Sequence, residues 1–169
     1  MPAERLEDRH VLVADDDPGV RELFAEFLRE RGFVVASAKD GRAAVSELER
    51  APGLYRMVFT DLSMPGADGF KVLRAARTAN PFAYIVIVTG YASIDTAIQA
   101  VQEGANDYLT KPCSLGQIDI ALQRASEHLE HTQSLHVIDR LAAMEQRLLS
   151  IEGGVARLEA GLSILLPRR

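Results

Sequence analysis

Apolar residues along this chain fall into two alternating textures. His10 to Ala14, Val34 to Ser37, Met57 to Thr60, Tyr84 to Thr89 and Asp107 to Thr110 are short runs, several of them almost wholly apolar, and they predict strands buried on both faces. Between them the apolar positions recur every three or four residues. Val20, Leu23, Phe24, Phe27 and Leu28 share one side of a first helix. Val72, Leu73 and Ala76 do so in a third helix, and Ile94, Ala97, Ile98 and Val101 in a fourth. Each stripe predicts a core-facing surface. Capping signals mark the same helices. Asp17 followed by Pro18 is an N-cap with proline at the first helical position, and Gly32 fits the stop of that helix. Asp40, Asp68 and Ser93 cap the next three, and Gly104 closes the fourth. Strand then helix, five times over, predicts an α/β domain with a parallel sheet and helices on both faces.

After about residue 126 the strand signals stop. From Leu141 a seven-residue repeat emerges, with Leu141, Leu148, Val155 and Leu162 at one position and Met144, Ile151, Leu158 and Leu165 three residues later. This is an a/d seam, and it predicts a coiled coil. In that register Glu145, Glu152 and Glu159 take e positions and Arg140 and Arg147 take g, so a parallel pair would set Arg140 against Glu145 and Arg147 against Glu152 of the partner chain. Gly153, Gly154 and Gly161 each cost about 1 kcal/mol in a helix relative to alanine. A buried a/d residue returns roughly 1.5 to 3 kcal/mol, so burial wins provided a partner covers the seam. A homodimer through the C-terminal helix is therefore expected. Parallel and antiparallel pairing both remain open. The division expected is a domain at 8–126 and a helical coiled-coil extension at 127–169.

Composition narrows the class. With 169 residues and 47% hydrophobic content there is enough apolar surface for one sizeable core and an appendage. A formal net charge of −5 argues against a broad nucleic-acid footprint. No basic surface or helix-turn-helix pattern follows residue 126. Cys113 is the single cysteine, which rules out an intrachain disulfide. The charged start from Met1 to His10 lacks the apolar centre of a signal peptide, and no apolar run is long enough to span a bilayer. A cytoplasmic protein is expected.

The chemistry concentrates at strand ends. Asp15 and Asp16 follow the first strand, Asp61 follows the third, and Lys111 follows the fifth. In a parallel sheet these ends share the carboxyl edge, where open α/β folds bind ligands. Carboxylates about 4 Å apart repel by about 4 kcal/mol per pair at an effective dielectric of about 20. A cation must offset this. The donors are all oxygen with no histidine or second cysteine beside them, so Mg2+ suits the site better than zinc.

Taken together, Asp15-Asp16, Asp61 with Met64-Pro65-Gly66-Ala67-Asp68-Gly69, Thr89-Gly90 and Tyr108-Leu109-Thr110-Lys111-Pro112 resemble the receiver domain of two-component response regulators. The resemblance covers about residues 8 to 126. It implies a flavodoxin-like, doubly wound five-stranded parallel sheet of order 2-1-3-4-5, here with a long C-terminal helix added. It also implies that Asp61 is the phosphoacceptor, taking its phosphoryl group from a phosphohistidine on a sensor histidine kinase or phosphotransfer protein. Asp15, Asp16, Asp61 and the backbone carbonyl of Ser63 would serve Mg2+, with Asp15 orienting its waters. Lys111, aimed by a cis bond to Pro112, would join the metal in clamping the phosphoryl oxygens. Thr89 and Tyr108 would form the switch, altering the surface of the fourth helix, fifth strand and fifth helix. Ser63 and Tyr91 sit where the family tunes the lifetime of the acyl phosphate.

Other readings compete. Cys113 stands where an aromatic residue is usual, and it is expected to be small, buried and inert. His128, His131 and His136 do not match a kinase phosphoacceptor motif and are expected to be solvated. The coil could instead be a linker to an output domain outside this chain. A phosphoaspartyl hydrolase is a further alternative, although such enzymes carry a second acid two residues after the nucleophile, where this chain has Ser63.

Overall fold

The computed structural model describes residues 9–132, 141–144 and 146. The chain divides into two compact units, Met1–Leu129 and Glu130–Arg169.

In the first unit five strands form one sheet: β1 (His10–Ala14), β2 (Val34–Ala38), β3 (Met57–Thr60), β4 (Tyr84–Thr89) and β5 (Asp107–Thr110). All pairings are parallel, in the order β2-β1-β3-β4-β5. The helices between them are α1 (Pro18–Glu30), α2 (Gly41–Arg50), α3 (Gly69–Ala79) and α4 (Ile94–Gln102), and α5 takes residues 115–129 of this unit. This is the doubly wound arrangement expected, with β2 one residue longer at its end.

Local chemistry sets the boundaries. The side chains of Asp17, Asp40, Asp68 and Ser93 each accept backbone N–H bonds at the helix start they were expected to cap. Each such bond satisfies a donor that the helix itself cannot. Gly32 and Gly104, with φ of 83° and 95°, take the left-handed turn that ends α1 and α4.

The period-two alternation of the strands divides the core. Val11, Val13, Met57, Phe59, Tyr84, Val86 and Val88 face α1 and α5 through Phe24, Phe27, Leu28, Ile118 and Leu122. Leu12, Val58 and Ile85 face the other way, onto Ala44 and Leu48 of α2 and Val72, Leu73 and Ala76 of α3. Both faces of the sheet are thus dry.

Two expected stripes differ from the structure. Leu23 of α1 is exposed, while its neighbours Phe24, Phe27 and Leu28 are buried. In α4 three of the four stripe residues differ: Ile94, Ile98 and Val101 are 79%, 52% and 68% exposed, Ala97 is half-buried, and the buried residue is Ala100, packed on Leu62 and Ile87. At 3.6 residues per turn, Thr96, Ala100 and Glu103 lie opposite the apolar stripe. Small and polar contacts dock them: Thr96 meets Tyr108 at 2.9 Å and Glu103 meets Arg74 at 2.5 Å. The helix is amphipathic as expected, but the face that docks is the small, mixed one of Thr96, Ala97 and Ala100, not the large apolar one.

In the second unit residues 130–132, 141–144 and 146 are helical. Leu141 and Met144 are exposed, at 60% and 56%. The remaining heptad positions Leu148, Ile151, Val155, Leu158, Leu162 and Leu165 lie outside the described residues, as do the charged partners Arg140, Glu145, Arg147, Glu152 and Glu159. Among the described residues no helix is long and apolar enough to cross a membrane.

Candidate functional site at the carboxyl edge

Register brings the acidic residues together. Ala14 of β1 pairs with Thr60 of β3, so the next residue on each strand, Asp15 and Asp61, leaves the sheet side by side. The ladder continues for one bond past each strand, with Asp61 N donating to Ala14 O at 2.9 Å and Asp15 N to Ala38 O at 3.2 Å. Thr89 pairs with Thr110 at the end of β4 and β5, and Lys111 N donates to Thr89 O at 2.9 Å. The Lys111-Pro112 bond is cis.

From that position Lys111 Nζ lies 2.6 Å from Asp15 Oδ2 and 2.7 Å from Asp61 Oδ2. One oxygen from each of Asp15, Asp16 and Asp61 falls within 4.8 Å of the others. Asp15 and Asp61 are buried, at 4% and 6% exposure, and Asp16 faces solvent. The remaining Asp15 oxygen accepts from Asp17 N at 2.9 Å, and Asp61 Oδ1 accepts from Ser63 N at 3.1 Å. Beneath the carboxylates a small crevice is lined by Val13, Phe24, Phe59 and Val88.

Electrostatics follow from this crowding. Burial, opposed by hydrogen bonds from Lys111 and the Asp17 amide, holds the Asp15 carboxyl above its ordinary value of 3.8. Burial works against the Lys111 ammonium, but its bonds to Asp15 and Asp61 outweigh it and raise the lysine above 10.5. Three carboxyl groups face a single ammonium in a site whose cation-binding donors are all oxygen. That set fits a hard divalent cation that keeps part of its water shell.

The other expected residues are arranged around this centre. Thr89 is fully buried, its Oγ1 accepting from Tyr91 N at 3.2 Å. Tyr108 is half-buried and its hydroxyl meets Thr96 Oγ1 at 2.9 Å. Ser63 and Tyr91 are both exposed beside the site. Cys113 is only half-buried, packed at the edge of the α1/α5 core because it lies on the turn just past β5, and burial pushes its thiol up, away from the reactive thiolate.

Several contributors escaped sequence reasoning. Arg21, four residues into α1, donates from Nη1 to the Asp15 carbonyl at 2.7 Å. Thr96 carries a capping role and a tyrosine contact at once. Gly69 lies in the quoted motif, but its reason is spatial: a Cβ there would fall 2.1 Å from the Asp61 carbonyl oxygen. The capping role of Thr96 is a local pattern, but its tyrosine contact and the reach of Arg21 back over the β1–α1 turn depend on side-chain direction in the fold, which no spacing rule gives.

Comparison with known proteins adds independent findings. A family model described as the response regulator receiver domain matches residues 11–123. The alginate biosynthesis transcriptional regulatory protein AlgB of Pseudomonas putida is 33% identical over 152 residues, which cover 90% of this chain and 31% of AlgB. The photosynthetic apparatus regulatory protein RegA of Rhodobacter capsulatus is 38% identical over 130 residues, covering 75% of this chain and 68% of RegA. Among solved structures, a response regulator protein from Burkholderia pseudomallei with a phosphorylated aspartic acid, calcium ion and citrate aligns with a TM-score of 0.61 and 34% identity, over 76% of this chain and 74% of that one. A receiver domain protein from Clostridium thermocellum aligns at 0.66 and 27% identity, over 75% and 98%. The matched stretch therefore spans less than a third of AlgB's length.

Proposed function

The chain belongs to the response regulator receiver domain family, and from that premise we propose that it is a phosphorylation switch whose phosphoacceptor is Asp61. One observation carries the reading: Lys111 Nζ bridges Asp15 and Asp61 while Asp16 closes the same cluster of carboxylates. The related protein with a phosphorylated aspartic acid and a calcium ion supports it.

In the proposed reaction a carboxylate oxygen of Asp61 attacks phosphorus in a phosphohistidine of a sensor kinase or phosphotransfer protein. The P–N bond breaks as the P–O bond forms, and the imidazole leaves with its electron pair and takes up a proton. Asp15, Asp16, Asp61 and the Ser63 carbonyl would hold Mg2+. When bound, that ion neutralises charge on the phosphoryl oxygens, which is most of what phosphoryl transfer requires. Lys111 then exchanges its contact with Asp61 for a phosphoryl oxygen, and Thr89 donates its hydroxyl to another. The added charge of about −1.5 to −2 draws Thr89 in and opens room for Tyr108 to turn. The α4-β5-α5 surface, with Ile94, Ile98 and Val101 already exposed, carries the change to a partner. The receiver occupies 8–126, and the extension at 127–169 pairs two copies through its heptads. The protein acts in the cytoplasm, makes no direct contact with nucleic acid or membrane, and turns over no substrate beyond slow loss of its own phosphoryl group.

Incubation with acetyl phosphate tests this. One stoichiometric, Mg2+-dependent label is expected, absent from Asp61→Asn. Multiple turnover of p-nitrophenyl phosphate would instead favour a hydrolase.

A second reading is favoured by the relatives' lengths: AlgB, a transcriptional regulatory protein, is matched over 31% of its length. In that reading 127–169 is a linker to an output domain. The intact mass of the protein isolated from its own cells separates the two.

A further inference from the structure

We infer that Arg21 is a positioning residue for Asp16, and through Asp16 for the divalent cation of the acidic pocket; the inference rests on the Mg2+-binding reading above. Asp15 is held by its surroundings. Its carboxylate is buried, bonded to Lys111 at 2.6 Å and to the Asp17 amide at 2.9 Å. Asp61 is similarly tied to Lys111 and the Ser63 amide. Asp16 is the exposed member of the cluster, lying past the end of β1 where the ladder no longer constrains the chain.

The direction of its side chain is set by the two peptide planes that flank its Cα. Because peptide units are planar, fixing the carbonyl of Asp15 limits φ of Asp16, and fixing the carbonyl of Asp16 limits its ψ. Arg21 reaches both carbonyls. Its Nη1 donates to Asp15 O at 2.7 Å and lies 3.5 Å from Asp16 O. Arg21 is itself anchored, since its backbone N–H donates to Asp17 O at 3.0 Å as α1 begins. The rigid helix thus holds a guanidinium against the back of the β1–α1 turn, and the Asp16 carboxylate is left aimed toward Asp15 and Asp61. Arg21 donates to carbonyl oxygens, not carboxylates, so its contribution is geometric.

That distinction has a sign. Were Arg21 only a nearby positive charge, removing it would tighten binding of a dication by relieving repulsion. As a positioning residue its removal weakens binding. Calorimetric titration of Mg2+ into the wild type, Arg21→Ala and Arg21→Gln decides between them. Arg21→Ala is expected to weaken Mg2+ binding about tenfold, the low end for losing a group that orients a metal ligand. Arg21→Gln, which keeps one amide donor, weakens it less. In acetyl phosphate labelling, both variants reach the wild-type rate once Mg2+ is saturating, with the half-saturating Mg2+ shifted upward by the same factors. Unchanged or tighter Mg2+ binding in the folded variants overturns the inference. So does a lowered rate at saturating Mg2+ with an unshifted half-saturation point, or loss of folding in both variants, since a positioning role leaves the core intact. If the wild type neither binds Mg2+ nor takes the label, the phosphorylation-switch reading falls as well; normal wild-type behaviour with normal variants removes this inference alone.

Discussion

Lys111 shows how much one side chain can hold. Its ammonium is shared between two buried carboxylates, so Lys111→Ala leaves both uncompensated in the metal-free protein. Breaking such a pair from one side costs about 3 kcal/mol at the low end, and Mg2+ should restore part of it. Urea unfolding with chelator and with Mg2+ measures both quantities. The pH dependence has a definite sign. Asp15 is raised by burial above 3.8, so between 3.8 and its folded value the native state holds more protons than the unfolded chain. Metal-free stability therefore falls as pH rises through that window. On the proposed Mg2+ reading the ion would bind the ionised form, so urea midpoints compared with and without Mg2+ should diverge as pH increases through that window. Gly69→Ala would push a Cβ into the Asp61 carbonyl oxygen. A cost of about 1–3 kcal/mol is expected for overpacking against backbone, with slower labelling of Asp61, read by urea midpoint and acetyl phosphate kinetics. The type of each acidic residue was legible in the sequence, but the need for glycine at 69 was not, because it depends on where another segment's carbonyl lies.

At the scale of elements, α4 is the instructive case. Its stripe of Ile94, Ile98 and Val101 is periodic and predicts an amphipathic helix, yet periodicity cannot say which side a neighbour covers. The side that docks is set by Ala100 against Leu62 and Ile87 and by the polar contacts of Thr96 and Glu103. Accordingly Ile98→Ser should change stability by no more than about 0.5 kcal/mol, whereas Ala100→Leu should cost about 1–3 kcal/mol; thermal or urea melts distinguish them. If the apolar face transmits the signal, Ile98→Ser also loses partner binding while keeping its label. Strands and caps read more directly, since Asp17, Asp40, Asp68 and Ser93 act on amides two or three residues away. Local chemistry is visible in a local pattern.

For the whole molecule, the acidic pocket and the fold are linked through any ligand that binds only the native state. Saturation to about 100 times its dissociation constant stabilises a protein by about 2.7 kcal/mol. A Mg2+-dependent shift of that order in the unfolding free energy, abolished by Asp16→Ala or chelator, is the expected outcome. Self-association belongs to this scale too. If the extension pairs two copies as proposed, removing residues after 132 should reduce the sedimenting species to a monomer while any label on Asp61 is kept, because the heptads that would bury Leu141 and Met144 depart with the tail.

From the sequence alone came the alternation of strands and helices, the caps and the residue types at each strand end, all properties carried by neighbours along the chain, while the order of the strands came from the resemblance those residues carry. Only the tertiary structure decided that α4 turns its apolar side outward, that Gly69 must make room for Asp61, and that Arg21 grips the turn bearing Asp15 and Asp16. Those facts depend on how strand ends, turns and helices pack against one another in space, and that packing exists only after the sheet has set its register.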